Sequence, residues 1–217
     1  MDRTLLLDLD GTLVDSVPDL AAALSRLMLA RGLSGFSCAE TAPLVGDGVA
    51  ALVARAFAAR HAAPDAAALA DFRADYEANC AVATRPYAGV AATLHRLAAD
   101  GWRLAVCTNK PEATARRLLA ALGLADRFAA IGGGDSFPAR KPDPAHLLAT
   151  LAAAGGEPAR AVMAGDHAHD VAAARGAGIP CIFARWGYGV PTMAAGAAAE
   201  ADAFTELPAI AARLVEA

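Results

Sequence analysis

Residues 4–16, TLLLDLDGTLVDS, decide how the rest of the chain is read. The leucine run has the look of a short strand buried on both faces. It takes in Asp8 and Asp10, two residues apart, and ends at Gly11. A buried carboxylate without a partner is costly, so two of them at one strand end call for a cation or for chemistry.

Four more apolar segments follow, at 102–109, 127–134, 159–166 and 178–186. Helical patterns over 90–99, 112–122, 144–154 and 168–175 alternate with them, and Gly101, Gly123, Gly155 and Gly178 fall just past the helix ends. Strand alternating with helix predicts a Rossmann-like parallel sheet of about five strands flanked by helices. One connection is far longer than a crossover needs. It carries its own helical spacing in Leu20, Leu24, Leu27 and Met28, in Val49, Leu52, Val53 and Phe57, and in Leu69, Phe72 and Tyr76. Residues 15–82 are therefore expected to form a small helical cap inserted after the first strand, with residues 1–14 and 83–217 as the α/β core. Pro18 and the segment TRPYAG at 84–89 read as hinges.

Of the 217 residues 56% are hydrophobic, but much of that is alanine, so the fraction overstates the large core side chains. No apolar run is long enough to span a bilayer, and Asp8 interrupts the leading leucines before a signal-peptide core could form. These features lead to the expectation of a soluble, cytoplasmic protein with no membrane partner. Cys38, Cys80, Cys107 and Cys181 are scattered without a CxxC pair and read as reduced, buried thiols. The net charge of −4 is spread out and no basic stripe occurs, which argues against a nucleic-acid partner. The sequence is compatible with a monomer or a homodimer. Of the 19 basic residues, 17 are Arg, so the two lysines, Lys110 and Lys141, stand out as positions where Arg does not serve.

In an open parallel sheet, ligands bind at the carboxyl ends of the strands. Asp8 and Asp10, Thr108 and Asn109, and Asp166 fall at such ends, and Lys141 precedes the helix before the strand that ends at Asp166. Clustered oxygen donors of this type suit a hard divalent cation, foremost Mg²⁺. Each element also has a plain reading: Asp10-Gly11 as a turn, Thr108-Asn109 and Asp143 as helix caps, Lys141 as a surface lysine. Singly these suffice. Jointly they leave the gathering of two acids, a hydroxyl, a lysine and a third acid at one sheet edge unexplained.

DLDGTLVDS, CTNK, RKPDP and GDHAHD stand in the order and spacing of the four motifs of the haloacid dehalogenase-like superfamily, which the chain resembles over nearly its whole length. The insertion resembles that superfamily's helical type 1 cap. LVGDGVAALVARAF at 44–57 and YAGVAATLHRLAADGWRLAVCTNK at 87–110 resemble its phosphoglycolate phosphatase branch. The resemblance implies an Mg²⁺-dependent phosphatase acting on a small phosphate monoester, with Asp8 as nucleophile and aspartyl-phosphate carrier and Asp10 as general acid and base. It implies metal ligation by Asp8, the Asp10 carbonyl and Asp166, with Thr108 and the amides near Leu9 and Asn109 holding phosphoryl oxygens. Lys141 would neutralise transition-state charge, and Asp170 would orient Lys141 or a metal-bound water.

Where the superfamily pattern suggests a small residue after Asp166, the chain has His167, with His169 close behind. The two read either as exposed loop histidines or as a change in metal preference. Lys110 is expected at the rim of the site or in solvent. For an anionic substrate, the helix N-terminus at Gly48 and Arg55 two turns along are candidate anchors. Arg55 reads equally as a solvated surface residue. Trp186 and Tyr188 are placed at the rim or in packing at the sheet edge. The competing functions are a phosphomutase or a phosphatase of another small sugar phosphate, then a metal-independent dehalogenase, which has no need of Asp10, and a non-catalytic receiver-like domain.

Overall fold

The first strand becomes a central one. The structure, a computed structural model, describes residues 3–216. β1 (Arg3–Leu7) pairs in parallel with β4 (Trp102–Cys107) on one side and β6 (Ala161–Gly165) on the other. β5 (Ala130–Gly132) extends the sheet beyond β4, and β7 (Cys181–Ala184) and β8 (Ala199–Ala201) extend it beyond β6, giving the order β5-β4-β1-β6-β7-β8. Every pairing within this six-stranded sheet is parallel, as the strand-helix alternation predicts.

Side chains alternate across this sheet and so divide its packing between two layers. Leu5 and Leu7 face α5 (Val90–Ala99), α6 (Glu112–Ala121) and α9 (Leu207–Glu216). Leu6 and Met163 face α7 (Pro144–Ala153) and α8 (Ala168–Gly176). Helix stops fall where the glycines predict them, and Gly101, Gly123, Gly155 and Gly178 all have positive φ. Two elements at the C-terminal end of the core lie outside the sequence reading. β8 is three residues of Ala-Glu-Ala with no strand signal of its own, and α9 is amphipathic but follows no motif.

Between β1 and α5 the chain forms α1 (Val17–Leu29), the short α2 (Cys38–Thr41), α3 (Val49–Ala59) and α4 (Ala68–Asn79). Leu24, Met28, Val53, Phe57 and Phe72 bury into one another, and this apolar cluster is continuous with the Leu5 and Leu7 face of the sheet. The segments leading in and out pair with each other: β2 (Val14–Asp15) lies antiparallel to β3 (Arg85–Pro86). Asp19, buried in the first turn of α1, fastens this junction by accepting bonds from the Ala83 and Thr84 amides and from Thr84 Oγ1. Cys80, Cys107 and Cys181 are buried free thiols, whereas Cys38 is exposed, because it lies in a short capped turn that packs on one side only. No helix among the described residues is long and apolar enough to cross a membrane.

Candidate active site

β1 ends at Leu7, so Asp8 sits one residue past the strand, where its amide still donates to the Ala164 carbonyl at 2.9 Å. Buried Leu9 then anchors a tight turn by accepting from the Leu13 and Val14 amides. Gly11 is obligatory in that turn for two reasons. Its φ of +82° favours glycine, and a Cβ there would fall 2.3 Å from Asp166 Oδ2.

The two aspartates of the opening motif are held by different lysines. Asp8 Oδ1 lies 2.9 Å from Lys141 Nζ, while both Asp10 oxygens accept from Lys110 Nζ, at 2.8 and 2.7 Å. Lys141, only 3% exposed, also donates to buried Asp170 at 2.6 Å. Burial opposes the charged form of Lys141, but Asp170 and Asp8 more than offset it and hold the ammonium protonated. Of the two partners the sequence left open for Asp170, the structure supplies Lys141. Asp170 Oδ2 additionally accepts the His167 amide, which closes the first turn of α8.

Asp166 completes the cluster. Thr12 Oγ1 and the Tyr188 amide each donate to it at 2.8 Å. Oxygens of Asp8, Asp166 and Asp170 lie within 4.8 Å of one another, all three residues buried. Burial, then the neighbouring Asp8 and Asp170, push the Asp166 carboxyl up to about 8. Burial raises Asp8 to about 6 against the pull of Lys141, which leaves it ionised at neutral pH.

With every carboxylate ionised, Asp8, Asp10, Asp166 and Asp170 face Lys110 and Lys141 with two negative charges in excess, a crowding that a proton on Asp166 relieves when no cation is bound. An all-oxygen donor set with that excess fits one hard divalent cation. Asp170 is ion-paired with Lys141 at 2.6 Å, whereas Asp166 accepts from two neutral donors and Asp8 lies beside it, so Asp8 and Asp166 are the side chains best placed to hold it.

Thr108 is buried at the end of β4 and accepts the Lys110 amide, leaving its own hydroxyl proton to donate. Asn109 is committed elsewhere: its amide nitrogen donates to the carbonyls of Gly46 and Lys141, both at 3.0 Å, and so ties the loop before α3 to the core. Gly48 borders the cavity above Asp8 and Asp10, as a residue at the α3 N-terminus should. Arg55 does not reach that cavity; it is half exposed and ion-paired with Asp47.

Lys110 departs from its expected place. It is 5% exposed, paired with Asp10, and its ammonium lies 4.8 Å from the centre of the Tyr76 ring. A lysine one position past the strand-end Asn109 can turn inward only where an acid on the neighbouring strand end receives it, and Asp10 is that acid. His167 is half-buried, caps α8 through Nδ1, and is held neutral by burial and by the adjacent His169. His169 faces Asp47 across the cleft at 3.1 Å. Neither is the free loop residue of the plain reading. Tyr188 borders the second opening beside Asp8, Asp10 and Asp166, whereas Trp186 packs on Phe204 and donates to the Thr12 carbonyl.

Two residues, Thr12 and His146, and the backbone contact of Tyr188 were not anticipated. Thr12 and Tyr188 hold Asp166, the latter through its amide, and His146 sits fully buried beneath Lys141. Its Nδ1 accepts the Lys141 amide at 3.3 Å and its Nε2 donates to the Gly133 carbonyl at 3.0 Å. Burial and the Lys141 charge lower its pKa to about 4, so it serves as a neutral bridge. Its position five residues after Lys141, one turn into a Pro-started helix, was the available signal.

The chain matches the profile of haloacid dehalogenase-like hydrolases over residues 3–178. It is 44% identical to a phosphoglycolate phosphatase of Rhodospirillum rubrum over 216 residues, covering 95% of this chain and 90% of that protein. It is also 44% identical to one of Cereibacter sphaeroides, over 83% of this chain and 84% of that protein. Among solved structures it superposes on a predicted phosphoglycolate phosphatase from Haemophilus somnus with a TM-score of 0.88 at 30% identity, covering 96% and 97% of the two chains. It is similar to CbbY from Rhodobacter sphaeroides, solved in complex with phosphate, with a TM-score of 0.81 at 26% identity and coverage of 95% and 96%. With the parallel core, the inserted helices and the acid-lysine cluster in place, the chain belongs to the haloacid dehalogenase-like hydrolases, in their phosphoglycolate-phosphatase-like branch.

Proposed function

We propose that the protein is an Mg²⁺-dependent phosphatase that hydrolyses 2-phosphoglycolate through an aspartyl-phosphate on Asp8. The observation that carries this reading is the unequal treatment of the two motif aspartates. Asp8 faces Lys141 inside the cluster with the charge excess, and Asp10 faces Lys110 on the side of the inserted helices. One carboxylate is thereby suited to attack and the other to move a proton.

In this mechanism Asp8 attacks phosphorus while the bond to the leaving oxygen breaks, and Asp10 delivers its proton to that oxygen. Asp10 then takes a proton from water as the water attacks the phosphoryl group, and Asp8 is released. Lys141 offsets the charge that builds on the phosphoryl oxygens, and Thr108, with the amides at Leu9 and Asn109, donates to them. Mg²⁺, held by Asp8, the Asp10 carbonyl and Asp166, would supply electrostatic relief between the nucleophile and the phosphate. Asp170 and His146 fix Lys141 from either side. Residues 15–82 act as the cap that closes over the substrate, with 1–14 and 83–217 as the core. The α3 N-terminus at Gly48 supports the walls of the substrate chamber.

Similarity to CbbY, a mutant of which was solved in complex with xylulose 1,5-bisphosphate, favours a small sugar phosphate as the second reading. Phosphate release with Mg²⁺ across phosphoglycolate, sugar phosphates and nucleotides tests both. Preference for phosphoglycolate, abolished in Asp8→Asn, supports the first reading; a clear preference for a sugar phosphate supports the second; no release from any ester refutes both.

A further inference from the structure

The chamber above Asp8 and Asp10 is largely apolar where it meets the inserted helices, with Leu20, Val45, Val49 and Leu52 in its walls. Set into that wall are two polar groups the hydrolytic steps do not use. One is Lys110, whose three donors include two already given to Asp10. The other is Tyr76 of α4, 2% exposed, whose hydroxyl makes no hydrogen bond of standard geometry. The Lys110 ammonium is the polar group beside that hydroxyl, so its oxygen faces a cation and its proton is left for a ligand in the cavity.

Their position is set by Asp10. The group that protonates the leaving oxygen must touch it, and Lys110 Nζ lies within 2.8 Å of both Asp10 oxygens. Whatever is attached one or two atoms beyond the leaving oxygen therefore lies within reach of Lys110 and Tyr76. Arg55, the other basic candidate, is turned onto Asp47. We infer that Lys110 and Tyr76 form the subsite for an anionic group on the leaving alcohol, so that they, and not Arg55, select substrates with a carboxylate close to the phosphoester oxygen.

The inference rests on the phosphatase reading and adds the residues that read the leaving group. The apolar remainder of the wall disfavours polyol leaving groups, whose hydroxyls would find few partners.

The test compares phosphoglycolate with 2-hydroxyethyl phosphate, in which the carboxylate is replaced by a neutral alcohol, in the Mg²⁺-loaded wild type and in Tyr76→Phe and Lys110→Met. Tyr76→Phe should lower kcat/KM for phosphoglycolate about 10-fold, chiefly through KM, and change the neutral ester about 2-fold at most. Lys110→Met should collapse the preference for phosphoglycolate by about 100-fold. Tyr76→Phe removes one oxygen and carries the test alone should Lys110→Met not fold. Equal losses on both esters would overturn the inference, since Lys110 would then act only through Asp10. A wild type that hydrolyses both esters equally would overturn it while leaving the phosphatase reading intact, whereas a wild type that releases phosphate from no ester would overturn both.

Discussion

Lowering the pH from 8 to 6 should weaken divalent-metal binding about 50-fold. Asp166, buried and crowded by Asp8 and Asp170, has its carboxyl pushed up to about 8, and a proton there competes directly with the metal. The apparent dissociation constant rises by the factor 1 + 10^(8 − pH), about 2 at pH 8 and about 100 at pH 6, a difference of about 2 kcal/mol. Asp8, raised to about 6, is half protonated at pH 6 and adds at most a further factor of about 2 there, competing strongly only at lower pH. Titration calorimetry with Mg²⁺ in buffers of different ionisation enthalpy should find close to one proton released per ion at pH 7. The Asp166 carboxyl is raised above its ordinary value of 3.8, so between about pH 4 and 8 the folded metal-free chain holds more protons than the unfolded one. Its stability therefore falls as pH rises through that window, and Mg²⁺ should raise Tm more at pH 8 than at pH 6. Affinity that is flat from pH 6 to 8, or binding with no proton release, would refute the charge reasoning.

Gly11→Ala should destabilise the protein by about 2–4 kcal/mol, because it combines a left-handed backbone with a Cβ driven onto Asp166; chemical denaturation of the metal-free protein measures it. His146→Leu leaves the Lys141 amide without a partner at a buried site, while the Gly133 carbonyl keeps the Ser136 amide, for a loss of about 1–3 kcal/mol. As a positioning residue it should lower kcat more than it changes KM, and a kcat equal to wild type would remove it from that role.

The parallel core was legible because it depends on local signals: apolar runs, helix periodicity and glycines at helix ends. β8 was not, since Ala199–Ala201 forms a strand only because β7 offers a free edge. The gathering of Asp8, Asp10, Thr108 and Asp166 was legible because each lies at or just past a strand end. It was opaque where a contact joins distant segments. Lys110 looked like a rim residue because nothing local announces that Asp10, a hundred positions earlier, will receive it. Asp166 takes one of its bonds from the Tyr188 backbone, which leaves no trace in residue type. Arg55 shows the converse: its spacing from Gly48 is right for one helix face, but Asp47, just before that helix, claims it first.

The covalent step is the centre of the account, and trapping it is its most direct test. The Mg²⁺-loaded enzyme is mixed with phosphoglycolate, quenched in acid within a turnover, and digested for mass spectrometry. A peptide from the β1 region heavier by one phosphoryl group is expected, with the modification on Asp8 and absent in Asp8→Asn. Full turnover with no such adduct at any quench time, or an adduct on another residue, would contradict it.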